Sequence, residues 1–277
     1  MTGLRQRIRR VDKVVVNIAF AKQVTPSVAK AFRILECFSE RRPRLTFAEL
    51  AEQVDLPPTT LRRLLATLES LDYVQHDPLG LYRLGPRALA LSPAALAGYD
   101  VRNQALPVLD DLAILTSLNA NLGTLYQGRL LYLACVSHNV TRRIFSVPGR
   151  LAMAHCTALG KVMLASRPLD EVPSIVALAG GLVKRTVHTR TTWEDLEAEL
   201  AQVRERGYAV DDEEVAIGSR CIAAPVRGQS GEVIAALGVN GTTEEIERDR
   251  IPELISVVRQ SAETLSYKLG AAFAREW

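Results

Sequence analysis

The chain has no apolar run approaching the ~20 residues that a membrane-crossing helix requires. It has only four cysteines, Cys37, Cys135, Cys156 and Cys221, with no C-x-x-C spacing and no framework of paired bridges. Reduced thiols in a cytoplasmic protein are therefore expected. G-x-G-x-x-G, the P-loop, G-x-S-x-G and H-E-x-x-H are all missing, so the common patterns that cradle phosphates, raise a nucleophilic serine or hold a catalytic zinc are excluded. His155 beside Cys156 does not make a nucleophile and its base, because neighbouring helical residues diverge by about 100°. Zinc held by Cys156, Cys221 and His155 would need a spacing unlike that of recognised zinc sites. Neither catalysis, a cofactor nor a metal is expected.

Net charge is small, +3, but unevenly spread. Residues 1–90 hold 15 Lys/Arg against 9 Asp/Glu, and the remainder 19 against 22. A basic N-terminal third on a slightly acidic remainder suits one DNA-facing domain and one that faces something else. A length of 277 residues allows two domains with separate cores. The opening MTGLRQRIRRVDKVVVNIAFAKQV sets basic residues before an apolar patch. That patch, Val14–Val16, is too short for a signal peptide's h-region of about 7–15 residues. Residues 1–24 therefore read as a flexible basic arm.

The most informative stretch is Thr46–Val74. Thr46 followed by Glu49 forms a capping box, opening a short helix through Gln53. Asp55 and Leu56 turn the chain, and Pro57-Pro58 suits entry into a second helix. There Leu61, Leu64, Leu65, Leu68 and Leu71 make one apolar stripe, while Thr59, Arg62, Arg63, Ala66 and Ser70 face away from it. Tyr73–His76 and Leu81–Leu84 then flank the turn-forming Asp77-Pro78-Leu79-Gly80, predicting a hairpin. A helix-turn-helix followed by a hairpin is a winged helix, whose second helix presents hydroxyls and guanidinium groups to DNA. Upstream, Thr25-Pro26 opens a first helix ending near Ser39, with Ala31, Phe32, Leu35 and Phe38 along its inner side. Arg41, Arg42 and Arg44 around Pro43 read as a solvated loop.

Beyond the hairpin, one helix is expected from Pro86 to Gly98 and another from Asp100 to Leu115, with Pro107 as the joint between linker and second domain. The second domain alternates strands (Asn121–Tyr126, Leu130–Val136, Arg143–Val147, Tyr208–Asp211, Cys221–Val226, Val233–Val239) with helices. Those helices are Cys156–Ala165, Asp170–Leu178, a segment from Thr192 to Gly207, and a long one after Pro252. Helices over one face of an antiparallel sheet are expected, an α+β class.

GYAVDDEEVAIGSRCIAAPV, residues 207–226, resembles the signature of the IclR family of bacterial transcriptional regulators. SVAKAFRILECF resembles the family's first helix, LPPTTLRRLLATLESLDYV its recognition helix, YRLGPRALAL its wing-to-linker segment, and AHCTALGKVMLA its effector-domain helix. The resemblance runs from Thr25 to about Ala272. It implies a winged helix-turn-helix (25–85), a linker helix (86–106) and a GAF-like ligand-sensing α/β domain (107–277). It further implies a homodimer or dimer of dimers on a palindromic double-stranded operator, with a small organic acid as effector.

The DNA-contacting candidates are Thr46, Pro58, Thr59, Thr60, Arg62, Arg63, His76 and Arg83. The effector-binding positions implied by the resemblance are Met153, Ala158, Leu159, Gly160, Asp211, Cys221, Gly238 and Asn240. Met153 replaces a usual proline, and Gly238 and Asn240 replace two frequent serines. Space left beside Gly238 favours an aromatic acid. Two alternatives stay open, an enzyme carrying a winged helix and a regulator sensing metal or thiol oxidation through Cys156 and Cys221.

Overall fold

The computed structural model describes residues 25–39, 42–137 and 146–271; the basic arm at residues 1–24 and Arg41 lie outside them. The chain divides into two compact units between Ala95 and Leu96.

In the first unit, α1 (Pro26–Glu36), α2 (Phe47–Val54) and α3 (Pro58–Ser70) enclose one core built on Ile34, Leu50, Leu61, Leu65 and Leu68. The capping box at Thr46 forms as expected, and Asp55, in the left-handed region at φ 49°, ends α2. Two stripe positions depart from expectation. Leu71 is exposed because it caps α3 beyond its last turn, and Phe32 is exposed because it lies about 200° around α1 from the buried Ile34.

Three antiparallel strands complete this unit: β1 (Arg44–Thr46), β2 (Val74–His76) and β3 (Leu81–Leu84), with β3 in the middle. The hairpin is as expected, its turn tied by the Asp77 carboxylate accepting from the N–H groups of Leu79 and Leu81. Those N–H groups, that of Leu81 foremost, hold the Asp77 carboxyl below its ordinary range. β1 corrects the loop reading of Arg44. Three residues are too few to show a period, and Leu45 is held there by pairing opposite Tyr82 and by burial.

The linker is likewise not one helix. It is α4 (Pro86–Ala90) and α5 (Ser92–Ala97), since Pro93 has no N–H to donate one turn back. In the second unit α6 (Asp100–Thr116) runs straight through Pro107, so that proline is not a joint. Ala105, Val108, Leu109 and Leu112 are buried on both sides of it, and their packing offsets the one lost hydrogen bond.

The second unit's sheet has six antiparallel strands: β4 (Asn119–Tyr126), β5 (Arg129–Val136), β6 (Leu151–Met153), β7 (Ala209–Asp212), β8 (Ser219–Arg227) and β9 (Val233–Thr242). Their order is β6-β5-β4-β9-β8-β7. The strand expected at Arg143–Val147 is displaced. Residues 143–145 lie outside the described residues, Ser146 and Val147 are not in a strand, and Leu151–Met153 pairs with β5.

Helices cover both faces rather than one. Ile222, Ala224 and Val226 of β8 join the core formed with α6 and α10 (Ile251–Lys268). Ala223, pointing the other way, joins the core formed with α7 (Ala158–Ala165), α8 (Val172–Leu178) and α9 (Trp193–Arg206). A sheet covered on both sides has central stretches that are apolar on both faces, as in Ile222–Ala224 of β8, which hides the second helical layer from a reading of the sequence.

Candidate functional site

The first unit offers an exposed helix face. Pro58 opens α3, and Thr59, Arg62, Arg63 and Ala66 are exposed along it, with Thr60 half-buried. The Arg62 guanidinium lies 4.6 Å over the Phe47 ring, a cation–π contact that orients a long side chain from the start of α2. Thr46 stands differently. Its hydroxyl oxygen accepts from the Glu49 N–H at 3.2 Å, and its own N–H donates to the Glu49 carboxylate at 2.8 Å. The capping box therefore uses that hydroxyl.

On the wing, His76 stacks on Tyr82 with ring centroids 4.5 Å apart, and Arg83 donates to the Gln75 side chain at 3.0 Å. Register places Arg44, Arg83 and Gln75 in one row across the three strands. Arg44 is a basic neighbour that reading the sequence missed; only the pairing of a three-residue strand reveals it.

The second unit puts polar groups inside. Asp211, Cys221, Asn240 and Asn119 are register partners on four neighbouring strands and form a row on the α7 side of the sheet. Asn121, two residues along β4 from Asn119, donates through Nδ2 to the Asn240 Oδ1 at 2.6 Å. Among the described residues, the Oδ1 atoms of Asn119 and Asn121 find no partner although both residues are buried. Leaving such an acceptor bare costs about 1–3 kcal/mol, so the row is built at some expense to stability.

Asp211 is 1% exposed, and its Oδ1 accepts from the N–H groups of Glu214 and Val215. Burial, reinforced by the Glu214 charge, pushes its carboxyl up to about 7. Cys221 keeps some accessible surface, yet burial drives its thiol well above the ordinary range, with Asp211 adding to the effect.

Two family models match the chain: the IclR helix-turn-helix domain over residues 27–78 and the C-terminal domain of the bacterial transcriptional regulator IclR over residues 93–267. The chain belongs to the IclR family. The HTH-type transcriptional regulator KdgR of Dickeya chrysanthemi is 34% identical over 273 residues, spanning 96% of this chain and 88% of that protein. The crystal structure of an IclR transcriptional regulator from Alicyclobacillus acidocaldarius superposes with a TM-score of 0.75 at 29% identity, covering 88% of this chain and 99% of that one. An IclR homolog from Microbacterium hydrocarbonoxydans, solved in complex with 4-hydroxybenzoate, shares the fold at TM-score 0.72 and 24% identity, covering 89% and 100% of the two chains. The protein is thus an IclR-type transcriptional regulator with a DNA-binding helix-turn-helix and a C-terminal effector-binding domain.

Within this IclR-type domain the structure sorts the effector candidates. Asp211, Cys221 and Asn240 share the polar row. Met153 ends β6, and Ala158 and Leu159 open α7. Gly160 is there for close packing, because a Cβ would strike the Ala154 backbone, and its N–H is taken by the Thr157 hydroxyl at 3.1 Å. Gly238 corrects an expectation. A Cβ on it would run into the Ile222 carbonyl and Ala223, so this glycine lets β8 approach rather than leaving room for a ring.

The thiol alternative weakens on the same geometry. Burial pushes the Cys156 thiol up to about 12, where almost no reactive thiolate exists at neutral pH. His155 Nε2 is 3.1 Å from the Val183 carbonyl. Among the described residues no group of three or more His, Cys, Asp or Glu is placed to hold a metal ion, and no helix is long and apolar enough to cross a membrane.

Under the row lies a buried ion cluster that the sequence did not disclose. Lys161 is fully buried, with Nζ 2.9 Å from Glu199, 2.6 Å from Glu214 and 2.6 Å from the Val210 carbonyl. Arg190 bridges both glutamates, and Arg206 pairs with Glu199. Burial alone would raise the Glu199 carboxyl, but Lys161, Arg190 and Arg206 together hold it below its ordinary range. Glu214 thus ties the turn after Asp211 to α7, and moving that turn means breaking buried ion pairs.

Proposed function

We propose that the protein binds a palindromic operator as a homodimer or dimer of dimers, and that a small organic acid held on the α7 side of the six-stranded sheet sets its affinity for DNA. The observation that carries the effector half is the polar row of buried Asp211, Asn240 and Asn119 with half-buried Cys221, which a regulator with no ligand would have little reason to hold inside. The N–H groups of Ala158 and Leu159, at the start of α7, have no acceptor within the helix and suit a carboxylate. Aromatic acids belong in the trial set, though the space argument at Gly238 no longer favours them. Thr59, Thr60, Arg62 and Arg63 read the operator with support from Arg83, and Thr46 serves the fold instead. Exposed Leu89 and Leu91 support self-association near the linker, since a soluble monomer has no use for them.

A mobility-shift titration on DNA upstream of the protein's own gene, with and without a panel of organic acids, tests the whole reading. Sequence-specific retardation altered by one acid, with that acid recovered unchanged, is the expected result. Retardation indifferent to every acid would remove the effector half. Light scattering of a monomer at operator-binding concentration would remove the oligomeric half.

A further inference from the structure

We infer that Asn119 and Asn121 read hydroxyl groups of the effector, which makes the ligand a hydroxylated organic acid. The inference rests on the reading that the effector lies on the α7 side of the sheet. Both residues occupy consecutive same-face positions of β4, 2% and 1% exposed, beside Asn240. Asn121 already donates through Nδ2 to Asn240, while the Oδ1 atoms of both Asn121 and Asn119 are buried acceptors that find no partner among the described residues. An acceptor needs a donor. A carboxylate, a ketone or a bare ring cannot supply one at neutral pH, and a hydroxyl can.

The neighbouring row does not supply donors to β4 either: among the described residues, neither the Cys221 thiol nor the Tyr132 hydroxyl reaches the Oδ1 of Asn119 or Asn121. Two residues of strand separate the acceptors by about 6.5–7 Å, enough for two hydroxyls of one ligand or one hydroxyl and an ordered water. A phenolic acid and a polyhydroxy aliphatic acid both carry this chemistry.

Calorimetric titration of the full-length protein with matched pairs separates these sources: benzoate with 4-hydroxybenzoate, propionate with lactate, and hexanoate with gluconate. In at least one pair the hydroxylated member should bind tenfold or more tightly than its partner. Asn119→Leu and Asn121→Leu should each cut that advantage below threefold. Asn119→Leu should leave the thermal transition in place or raise it, because a bare buried acceptor has been removed, whereas Asn121→Leu also takes the donor from the Asn240 Oδ1 and should lower it. Asn121→Asp, which keeps an acceptor of the same shape, should retain the preference. If a leucine variant lacks a cooperative transition, Asn119→Ala or Asn121→Ala replaces it with the same expectation.

A preference that survives both leucine substitutions overturns the inference, since the hydroxyl is then read elsewhere. Tight binding of unhydroxylated members alone overturns it while leaving the effector site standing. Binding by no member, together with an operator complex that responds to none, overturns both.

Discussion

The two units place their polar side chains in opposite ways. On α3 the guanidinium groups of Arg62 and Arg63 stand in solvent, while in the second unit Lys161, Glu199, Asp211, Asn119 and Asn121 are all buried. An exposed cation costs the fold almost nothing, so it can be removed with little loss of stability. A buried charge has already been desolvated, so removing its partner damages the fold first and function only afterwards. Stability and function should therefore separate cleanly under mutation in the first unit and stay entangled in the second.

The largest effect that would break this contrast is expected at Lys161. Replacing it with methionine leaves Glu199 and Glu214 without their shared, fully buried cation, and only Arg190 and Arg206 remain to compensate. Breaking a buried pair from one side costs about 3–5 kcal/mol. Denaturant unfolding of Lys161→Met should show that loss. A loss below 1 kcal/mol would mean that the two arginines carry the cluster and that burial here is cheap.

Asp211 sharpens the contrast through pH. Its folded carboxyl is raised from 3.8 to about 7, so the folded protein holds that proton more firmly than the unfolded chain does. The stabilisation is complete below pH ~4, is lost as pH rises to ~7, and stays lost above it. A shift of that size corresponds to on the order of 4 kcal/mol between the two limits. Asp211→Asn mimics the protonated form and keeps an oxygen for the Glu214 and Val215 N–H groups, so it should remove this slope. Melting temperatures of wild type and variant should agree near pH 4 and diverge by pH 8, with the variant more stable. The lowered carboxyl of Glu199 works in the opposite sense, losing its contribution only as pH falls below ~4.5, so the two windows separate. Parallel melting curves from pH 4 to pH 8 would show that Asp211 stays ionised.

How much of each unit was legible in the sequence follows the same division. α2, the turn at Asp55, α3 and the wing hairpin rest on signals within four residues of one another: a capping box, an i, i+3, i+4 stripe and a D-P-L-G turn. α9 was legible for the same reason, from the Thr192 cap to Gly207 in the left-handed region. What escaped depends on partners distant in the chain. β1 is a strand only because β3 accepts it, Arg44 becomes Arg83's neighbour only by that pairing, and Asn119 meets Asn240 across 121 positions of sequence. Resemblance to a family could point to Asp211, Cys221 and Asn240. It could not show that Gly238 has no space beside it, because that depends on how closely the β8 backbone passes.

In the first unit, Arg62→Ala and Arg63→Ala should each weaken operator binding by about 1–3 kcal/mol if the side chain reads a base. A phosphate contact would instead weaken all sequences alike and lower the salt slope by about one. Unfolding stability should move by less than ~0.5 kcal/mol for Arg63, with slightly more for Arg62 because of its seat on Phe47. If the double substitution binds operator like wild type, α3 is not the reading helix.

The smallest effect is the most discriminating, because Thr46 is the one DNA-contact candidate that the geometry reassigns. Its hydroxyl faces the Glu49 N–H and carboxylate in the capping box, and that carboxyl is held below its ordinary range chiefly by the Thr46 N–H. A hydroxyl so engaged acts on DNA only by leaving its partners. Thr46→Ala should therefore cost about 1 kcal/mol of stability, the usual worth of an N-cap. Operator affinity, measured well below the melting temperature, should stay within about twofold of wild type, because α2 keeps its position once the unit is folded. Thr46→Ser keeps the hydroxyl and should recover the stability. The reverse pattern, unchanged melting with a tenfold weaker complex, would put Thr46 back on the DNA-binding face and show that the first unit, too, can bind function and fold to one side chain.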